Sequence, residues 1–172
     1  RAGCVFISFG LESADPKVLE GVDKKCPLEA YRQVASWAKE VGIRIKFFIL
    51  IGLSYQTPES IDKTIEFLWE TKPEEIDAQL FVPYPGSEFA REPEKWGITI
   101  LEKDFTKYRQ RPDRKSAQAI MSTIETKWMT RHEMQEAREK ILQEFAKIEK
   151  ENASRAVPRE GIVSILESVA FY

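Results

Sequence analysis

Three short apolar runs alternate with segments of helical periodicity in the first half of the chain. The runs cover residues 4–9, 43–51 and 76–82, and each stops at a glycine or a proline. They are rich in β-branched and aromatic residues and are almost continuously apolar. This pattern is typical of strands that are buried on both faces, as in a parallel sheet.

Capping residues, prolines and helical spacing between these runs predict three helices. Asp15-Pro16 supplies an N-cap and a first-turn proline, and apolar residues at a spacing of three to four over 28–41 predict a second helix. Thr57-Pro58 begins a third helix, which Pro73 ends. The order β-α-α-β-α-β, with right-handed crossovers, predicts an α/β fold with parallel strands and helices on one side.

The second half of the chain has a different pattern. Residues 97–129 give mixed signals and include a basic stretch at 107–115. A capping box at 130–133 predicts the start of a long helix with one apolar face. We expect a loop at 152–161, and a final short helix or docking tail at 162–172.

Composition narrows the possible partners and metal sites. The net charge is −2, from 26 basic and 28 acidic residues, so nucleic-acid binding is not supported and the basic stretch favours a solvated loop. Cys4 and Cys26 are 22 residues apart, and His132 is the only histidine. No metal site is predicted in this chain, and Cys4 is expected to be a small buried residue.

The same composition bears on localisation. The sequence has no apolar run of about 18 residues and no secretory signal pattern. Few cysteines suit a reducing compartment. We therefore expect a cytoplasmic protein.

The carboxyl ends of the three predicted strands carry the candidate chemistry. These ends meet at one rim of a β/α barrel, and the clusters there are 10–13, 52–56 and 83–87. Glycine at a strand end allows close approach of a ligand, and the Glu12 carboxylate suits ribose hydroxyls or an ammonium group. The alternatives stay open: Glu12-Ser13 as a cap for the helix at Asp15, Gly52 as a simple turn, and Pro83 in a rigid loop.

Four segments in order resemble the radical S-adenosylmethionine (SAM) superfamily. The likeness is to the branch of methylthiotransferases, oxygen-independent coproporphyrinogen oxidases and cobalamin-dependent enzymes. The segments are Ile7-Ser-Phe-Gly-Leu-Glu-Ser13, Asp15 to Lys25, Ile49-Leu-Ile-Gly-Leu53 with Thr57-Pro-Glu-Ser60, and Phe81-Val-Pro-Tyr-Pro-Gly-Ser87.

The resemblance implies a fold and cofactors. Residues 1–100 would be the C-terminal half of a partial (β/α)6 TIM-like barrel, and 101–172 a mostly helical C-terminal extension. The chain begins at Arg1 without methionine, and we expect a missing N-terminal half of the same protein as its partner. That half would hold a [4Fe-4S] cluster through Cys-x3-Cys-x2-Cys, a motif this chain lacks, and a cobalamin-binding domain is a further option.

The resemblance also implies site residues. Glu12 and Ser13 would meet the ribose or methionine part of SAM, and Lys24 its carboxylate. The second and third predicted strands would be the fifth and sixth strands of the family's barrel. The adenine would lie along the exit of the fifth strand and the backbone of the turn after the sixth, and loop residues would face the substrate. The cofactor positions are Glu12, Ser13, Lys24, Ile51, Gly52, Phe81, Val82 and Pro83, and the substrate-facing positions are Tyr55, Gln56 and Tyr84.

Two departures from the family pattern shift these roles. The fifth-strand exit reads Leu53-Ser-Tyr-Gln56 instead of Leu-Pro-Gly-Glu, so an amide replaces a carboxylate. Phe48 stands where some relatives carry an acidic ribose ligand, which leaves more of the ribose contact to Glu12.

Three functions remain in contention. The first is a fragment of a radical SAM enzyme that, when intact, cleaves SAM reductively to a 5′-deoxyadenosyl radical for hydrogen abstraction or methyl transfer. Without the cluster motif, we expect the fragment alone to be inactive. The second is a non-catalytic module that binds a partner, or dimerises, through a sheet edge and the long helix. The third is an unrelated β/α-barrel lyase or isomerase that pairs Glu12 with Lys46.

Overall fold

The computed structural model describes residues 3–108 and 121–155 of the 172-residue chain. Two single-turn 3-10 helices, Pro93–Trp96 and Phe105–Tyr108, accompany the main elements. The main elements are β1 (Phe6–Glu12), α1 (Pro16–Gly21), α2 (Leu28–Glu40), β2 (Arg44–Ile51), α3 (Pro58–Thr71), β3 (Glu75–Leu80), α4 (Glu88–Arg91), β4 (Ile98–Ile100), β5 (Ile124–Thr126) and α5 (Arg131–Arg155).

Strands β1, β2 and β3 form a parallel sheet in that order, with β2 in the centre. The predicted α/β class with parallel strands is therefore confirmed, and the βα units suit the C-terminal part of a partial (β/α)6 barrel. Side chains of β2 alternate between two different surroundings. Those facing the helices are at most 1% exposed: Ile45, Phe47, Ile49 and Ile51. Those on the opposite face include Lys46 and Phe48, which the helices do not cover.

The first and third helices are joined at their amino ends through Asp15. One carboxylate oxygen of Asp15 accepts from the backbone N–H of Lys17 and so caps α1. The other oxygen accepts from Ser60 Oγ at 2.9 Å and from Lys63 Nζ at 2.8 Å on α3. Burial raises the pKa of Asp15, but together these donors lower it by more than burial raises it. The pKa of Asp15 therefore lies below its usual range. The predicted N-cap therefore also fixes how two helices meet.

The predicted capping box opens α5 as expected. Thr130 N–H donates to Glu133 Oε2 at 2.7 Å, and Glu133 N–H donates to Thr130 Oγ1 at 3.3 Å. The predicted loop at 152–161 is wrong in its first residues, because α5 continues to Arg155 and Asn152 donates to the carbonyls of Lys72 and Pro73, which follow α3. Residues 109–120 and 156–172, which include most of the basic stretch and the predicted tail, lie outside the described residues.

A short antiparallel pair, β4 with β5, was not predicted. Each strand has only three residues, too few for an alternating pattern to show in the sequence. This pair and α5 pack into the same apolar core as the parallel sheet. The core thus crosses residue 100, and the division into two domains there stays a prediction. In the described ranges, no helix is both long and apolar enough to cross a bilayer.

The two edges of the parallel sheet differ. On β3, Arg138 of α5 donates from Nε to the Ala78 carbonyl at 2.9 Å, so α5 covers this edge. On β1, no further strand pairs within the part of the chain that the structure describes. A sheet edge available for another strand is therefore found at β1 and not at β3.

Replacing Ile141 by alanine tests whether α5 belongs to the core of the sheet. Ile141 is 0% exposed, and we expect Ile141→Ala to lower the free energy of unfolding by about 2–5 kcal/mol, because contacts are lost and a cavity remains. Urea unfolding followed by circular dichroism measures this. Leu142 is 37% exposed, so Leu142→Ala should cost about 1 kcal/mol or less. Equally small losses in both variants would contradict the packing of α5.

Candidate functional site

The end of β1 is irregular in a way that sets the position of Glu12. Gly10 pairs with Phe48 and Glu12 with Ile49, so the register shifts between them, and Glu12 has a φ of 65°. This bulge places Leu11 in the core, where it is 0% exposed. A Cβ on Gly10 would lie 2.4 Å from Glu12 Oε1. The Glu12 carboxylate therefore folds back over Gly10, and a Cβ at this position would displace it.

Glu12 pairs with Lys24, which lies between α1 and α2. The distance from Glu12 Oε1 to Lys24 Nζ is 3.6 Å, and the side chains are 22% and 31% exposed. Burial raises the pKa of Glu12, and the attraction of Lys24 only partly offsets this, so the pKa lies above its usual value. Two predicted cofactor residues therefore meet as a half-buried ion pair at the rim.

Tyr31 of α2 holds the backbone of Gly10 next to this pair, a role that the sequence did not predict. Its hydroxyl donates to the Gly10 carbonyl at 2.6 Å, and the residue is 6% exposed. Burial raises the Tyr31 pKa, and Cys26 and the Glu12 charge raise it further, so the hydroxyl keeps its proton and remains a donor. The only sequence signal was a tyrosine at an inward position of α2.

Ser13 helps to form the turn into the helix at Asp15, which was the alternative interpretation of Glu12-Ser13. Its Oγ accepts from the Asp15 N–H at 3.1 Å, and Ser13 is 0% exposed. It shapes the turn into α1 and is closed off from the rim. The two neighbours thus separate, with Ser13 in the turn and Glu12 at the surface of the site.

Gln56 builds the turn after β2. Its Oε1 accepts from the N–H groups of Gly52 at 2.7 Å and Leu53 at 3.3 Å, and its Nε2 donates to the Leu50 carbonyl at 3.0 Å. Gln56 is 0% exposed, so a substrate has no access to it. An ionised glutamate at this position has no N–H for the Leu50 carbonyl, which explains the amide in place of the family's carboxylate.

The β2 exit itself is tightly enclosed. Gly52 has a φ of +97°, and a Cβ there would lie 2.9 Å from Met134 Sδ of α5. Ile51 is 0% exposed on the helix-facing side. A ligand on the uncovered face would therefore meet the backbone of Ile51 and not its side chain.

The remaining predicted positions lie around the rim. Phe81 N–H donates to the Ile51 carbonyl at 2.7 Å, Val82 is half-buried and Pro83 is buried. Tyr84 is 61% exposed, and Tyr55 is 42% exposed with its ring 4.6 Å from that of Trp128. The two tyrosines are accessible, whereas the turn residues around them hold the rim in shape.

Lys46 and Cys4 are the remaining residues with an expectation from the sequence. Lys46 Nζ lies 3.6 Å from Asp77 Oδ2, so its ion pair is with Asp77, whereas Glu12 pairs with Lys24. Cys4 is exposed, and the expectation of a buried Cys4 is wrong because β1 begins only at Phe6. Within residues 3–108 and 121–155, no group of three or more His, Cys, Asp or Glu residues is placed to hold a metal ion.

Comparison with known proteins finds a family that is similar to this part of the chain. The family model described as the radical SAM superfamily matches residues 1–68, from the start of the chain into α3. This stretch contains the bulge, Glu12 and Lys24. The match covers 68 of the 172 residues and makes this segment similar to the radical SAM superfamily.

The curated relatives of this chain are much longer. An anaerobic magnesium-protoporphyrin IX monomethyl ester cyclase of Rubrivivax gelatinosus is 26% identical over 63% of the chain and 19% of its own length. A bacteriochlorophyllide d C-8(2)-methyltransferase of Chlorobaculum tepidum is 29% identical over 62% and 24%. An uncharacterised methyltransferase of Pyrococcus horikoshii is 29% identical over 51% and 19%. The chain thus spans about a fifth of each relative.

Among solved structures, coproporphyrinogen III oxidase of Escherichia coli, described as a radical SAM enzyme, is similar to part of the chain. The sequence identity is 24%, the TM-score is 0.46, and the match covers 48% of this chain and 19% of the other.

The raised pKa of Glu12 predicts a pH dependence of stability. The folded state holds the Glu12 proton more tightly than the unfolded state, so this contribution is full at low pH. It is lost as pH rises from the usual value of 4.5 through the folded pKa. Between about pH 4 and pH 7, the wild type should lose unfolding free energy relative to Glu12→Gln.

Urea unfolding at a series of pH values measures this difference. Exposed Glu20 on α1 provides the matched control, because Glu20→Gln removes the same charge from an exposed side chain and should not reproduce the effect of Glu12→Gln. If the wild type instead gains stability over Glu12→Gln with rising pH, the attraction of Lys24 outweighs the burial of Glu12.

Proposed function

We propose that this chain supplies one wall of the SAM site of a radical SAM enzyme. The observation that carries the proposal is the Glu12–Lys24 pair, half-exposed over Gly10 at the carboxyl end of β1. The methionine part of SAM has an ammonium and a carboxylate, and its ribose has two hydroxyls. A carboxylate and an ammonium side by side complement these groups.

The proposed binding step exchanges one ion pair for two contacts. Glu12 turns from Lys24 to the ribose hydroxyls or the ammonium of the cofactor, and Lys24 turns to its carboxylate. Because the pair is 3.6 Å apart and partly exposed, separating it costs little compared with a tight buried pair. Tyr31 keeps the Gly10 carbonyl in place during this exchange.

The backbone beyond β2 and β3 completes the wall. The peptide groups of Ile51 and Phe81 are joined by a hydrogen bond of 2.7 Å, which holds two strand ends at a fixed separation. We assign the adenine to this backbone, on the face opposite the helices. Gly52 and Gln56 act as positioning residues, because they fix the turn that carries Ile51.

The residues of this chain do not fit the iron–sulfur cluster. A [4Fe-4S] cluster needs several cysteines close together, whereas Cys4 is exposed, Cys26 is half-buried and their positions in the chain are 22 apart. In the intact enzyme, SAM and a cluster together supply a carbon radical for hydrogen abstraction or methyl transfer. We assign the cluster ligands to an N-terminal half of the same protein, so this chain alone should be inactive.

The relatives bear on the reaction that the intact enzyme carries out. Two of the three are named methyltransferases and one is named a cyclase. We propose methyl transfer or hydrogen abstraction on an organic substrate, and the SAM wall would serve either reaction.

A titration of the ¹⁵N-labelled chain with SAM tests the proposed wall. We expect amide shifts at Gly10, Glu12 and Lys24 with a dissociation constant on the order of 1–10 mM, because only one side of the site is present. Glu12→Gln should weaken binding about fivefold or more, since it loses a charged hydrogen-bond acceptor. Glu20→Gln is the matched control and should bind as the wild type does.

Two outcomes of this titration would contradict the proposal. If no shift appears at these residues up to about 10 mM SAM, the face does not bind the cofactor. If binding is stoichiometric at micromolar concentration, the chain holds a complete site and not one wall.

The genomic sequence before the codon for Arg1 tests the assignment of the cluster. We expect an open reading frame with Cys-x3-Cys-x2-Cys within roughly the preceding 150 residues, because the cluster ligands must come from the same barrel. An in-frame start codon close to Arg1 would instead favour the partner-binding module.

A further inference from the structure

The uncovered face of the sheet is charged in its middle, below the proposed SAM wall. The polar positions away from its lower edge are Ser8 on β1, Lys46 on β2, and Asp77 and Gln79 on β3. Barrel interiors that are packed solid are lined mainly with branched apolar side chains. Charges at these positions carry a desolvation cost unless a ligand or water meets them, so this face is built to contact something polar.

The hydrogen-bonding capacity of Asp77 is better used than that of Lys46. One oxygen of Asp77 lies 3.6 Å from Lys46 Nζ, and the other accepts a hydrogen bond from Gln79 Nε2. Lys46 has three N–H donors, and its distance to Asp77 exceeds the 2.7–2.9 Å of a tight charged hydrogen bond. Its side chain is only 15% exposed. Lys46 therefore has donors to offer while its charge is largely removed from water.

The charged side chains on and beside this face are balanced in number. On β2 and β3, Arg44 and Lys46 balance Glu75 and Asp77, with Arg44 Nη2 lying 3.0 Å from Glu75 Oε1. Arg138 of α5 adds a third cation at the β3 edge. Burial lowers the pKa of Arg138, and the nearby charges of Asp77 and Glu139 raise it. Asp77 therefore lies near two cations, Lys46 and Arg138, and does not neutralise Lys46 alone.

Apolar surface lies directly beside Lys46. Phe48 is 38% exposed, and Lys46 Nζ lies 4.9 Å from the centroid of its ring. Phe48 pairs in register with Gly10, so the ring borders the space under the Glu12–Lys24 pair. An exposed aromatic ring next to a partly desolvated lysine is suited to a ligand with an apolar body and one anionic group.

We infer that this face binds the substrate of the enzyme through a carboxylate held by Lys46, with the carbon skeleton of the substrate lying on Phe48. The inference rests on the proposed function, since it takes this face as the inner wall of a SAM-containing barrel. Asp77 and Gln79 act as positioning residues that hold Lys46 on the face. The unused N–H donors of Lys46 and the exposed ring of Phe48 select an organic acid over a neutral or cationic substrate.

The test titrates the ¹⁵N-labelled chain with 3-phenylpropionate at neutral pH and, in parallel, with the neutral 3-phenylpropionamide. We expect amide shifts centred on Lys46, Phe48 and Asp77, with the acid binding about fivefold more tightly than the amide, which is about 1 kcal/mol. Lys46→Met keeps the apolar stem without the charge and should abolish the preference for the acid. Exposed Lys25 provides the control, because Lys25→Met should leave the preference unchanged.

The outcomes separate this inference from the proposed SAM wall. Equal binding of acid and amide, no shifts at this face up to about 10 mM acid, or a preference that survives in Lys46→Met would overturn the carboxylate site. Glu12→Gln should leave the acid titration unchanged, and Lys46→Met should leave the SAM titration unchanged. Loss of SAM shifts with retained acid shifts would reject the SAM wall alone.

Discussion

The alternation of side chains along β2 is the constraint on which the remaining structure depends. Every second residue from Ile45 to Ile51 is almost completely buried against α2, α3 and α5, namely Ile45, Phe47, Ile49 and Ile51. Because successive side chains of a strand point to opposite faces, the other set must lie on the opposite side of the sheet. Burial of the helix-facing set therefore fixes both the core and the position of Lys46 and Phe48 on a face that the helices leave open.

The rim above this face is shaped mainly by backbone geometry. Gly10 leaves room for the Glu12 carboxylate, and Gly52 allows Met134 of α5 to approach the end of β2. Gln56 then satisfies three peptide groups of the same turn. The half-exposed groups at the rim are thus supported by fully buried ones, an arrangement that suits binding with little rearrangement.

In the proposed function, the open face of the sheet has two binding regions. At the rim, Glu12 and Lys24 form a loose pair suited to the zwitterionic end of a cofactor. Deeper on the same face, Lys46 lies beside Asp77 and the ring of Phe48. Cofactor and substrate would then share one wall at different depths, which allows the reacting atoms to be held close together.

Much of the fold was predictable because it depends on short-range patterns. Asp15-Pro16, Thr57-Pro58 and the capping box at 130–133 all begin helices where expected. The β4–β5 pair and the last turn of α5 were missed or misjudged, since three-residue strands and the last turn of a helix have weak local signals. The family resemblance in the first 68 residues also came from local motifs and is confirmed by the family match.

The sequence alone determined the order of the elements, the parallel sheet and the placing of Glu12 at a strand end, because periodicity and capping act within a few residues. Only the tertiary structure decided that Ser13 and Gln56 are buried, that Lys24 is the partner of Glu12, and that Lys46 pairs with Asp77. These contacts depend on the bulge in β1, the register between strands and the packing of α5. Such features join residues that are distant in the chain, and no local pattern encodes them.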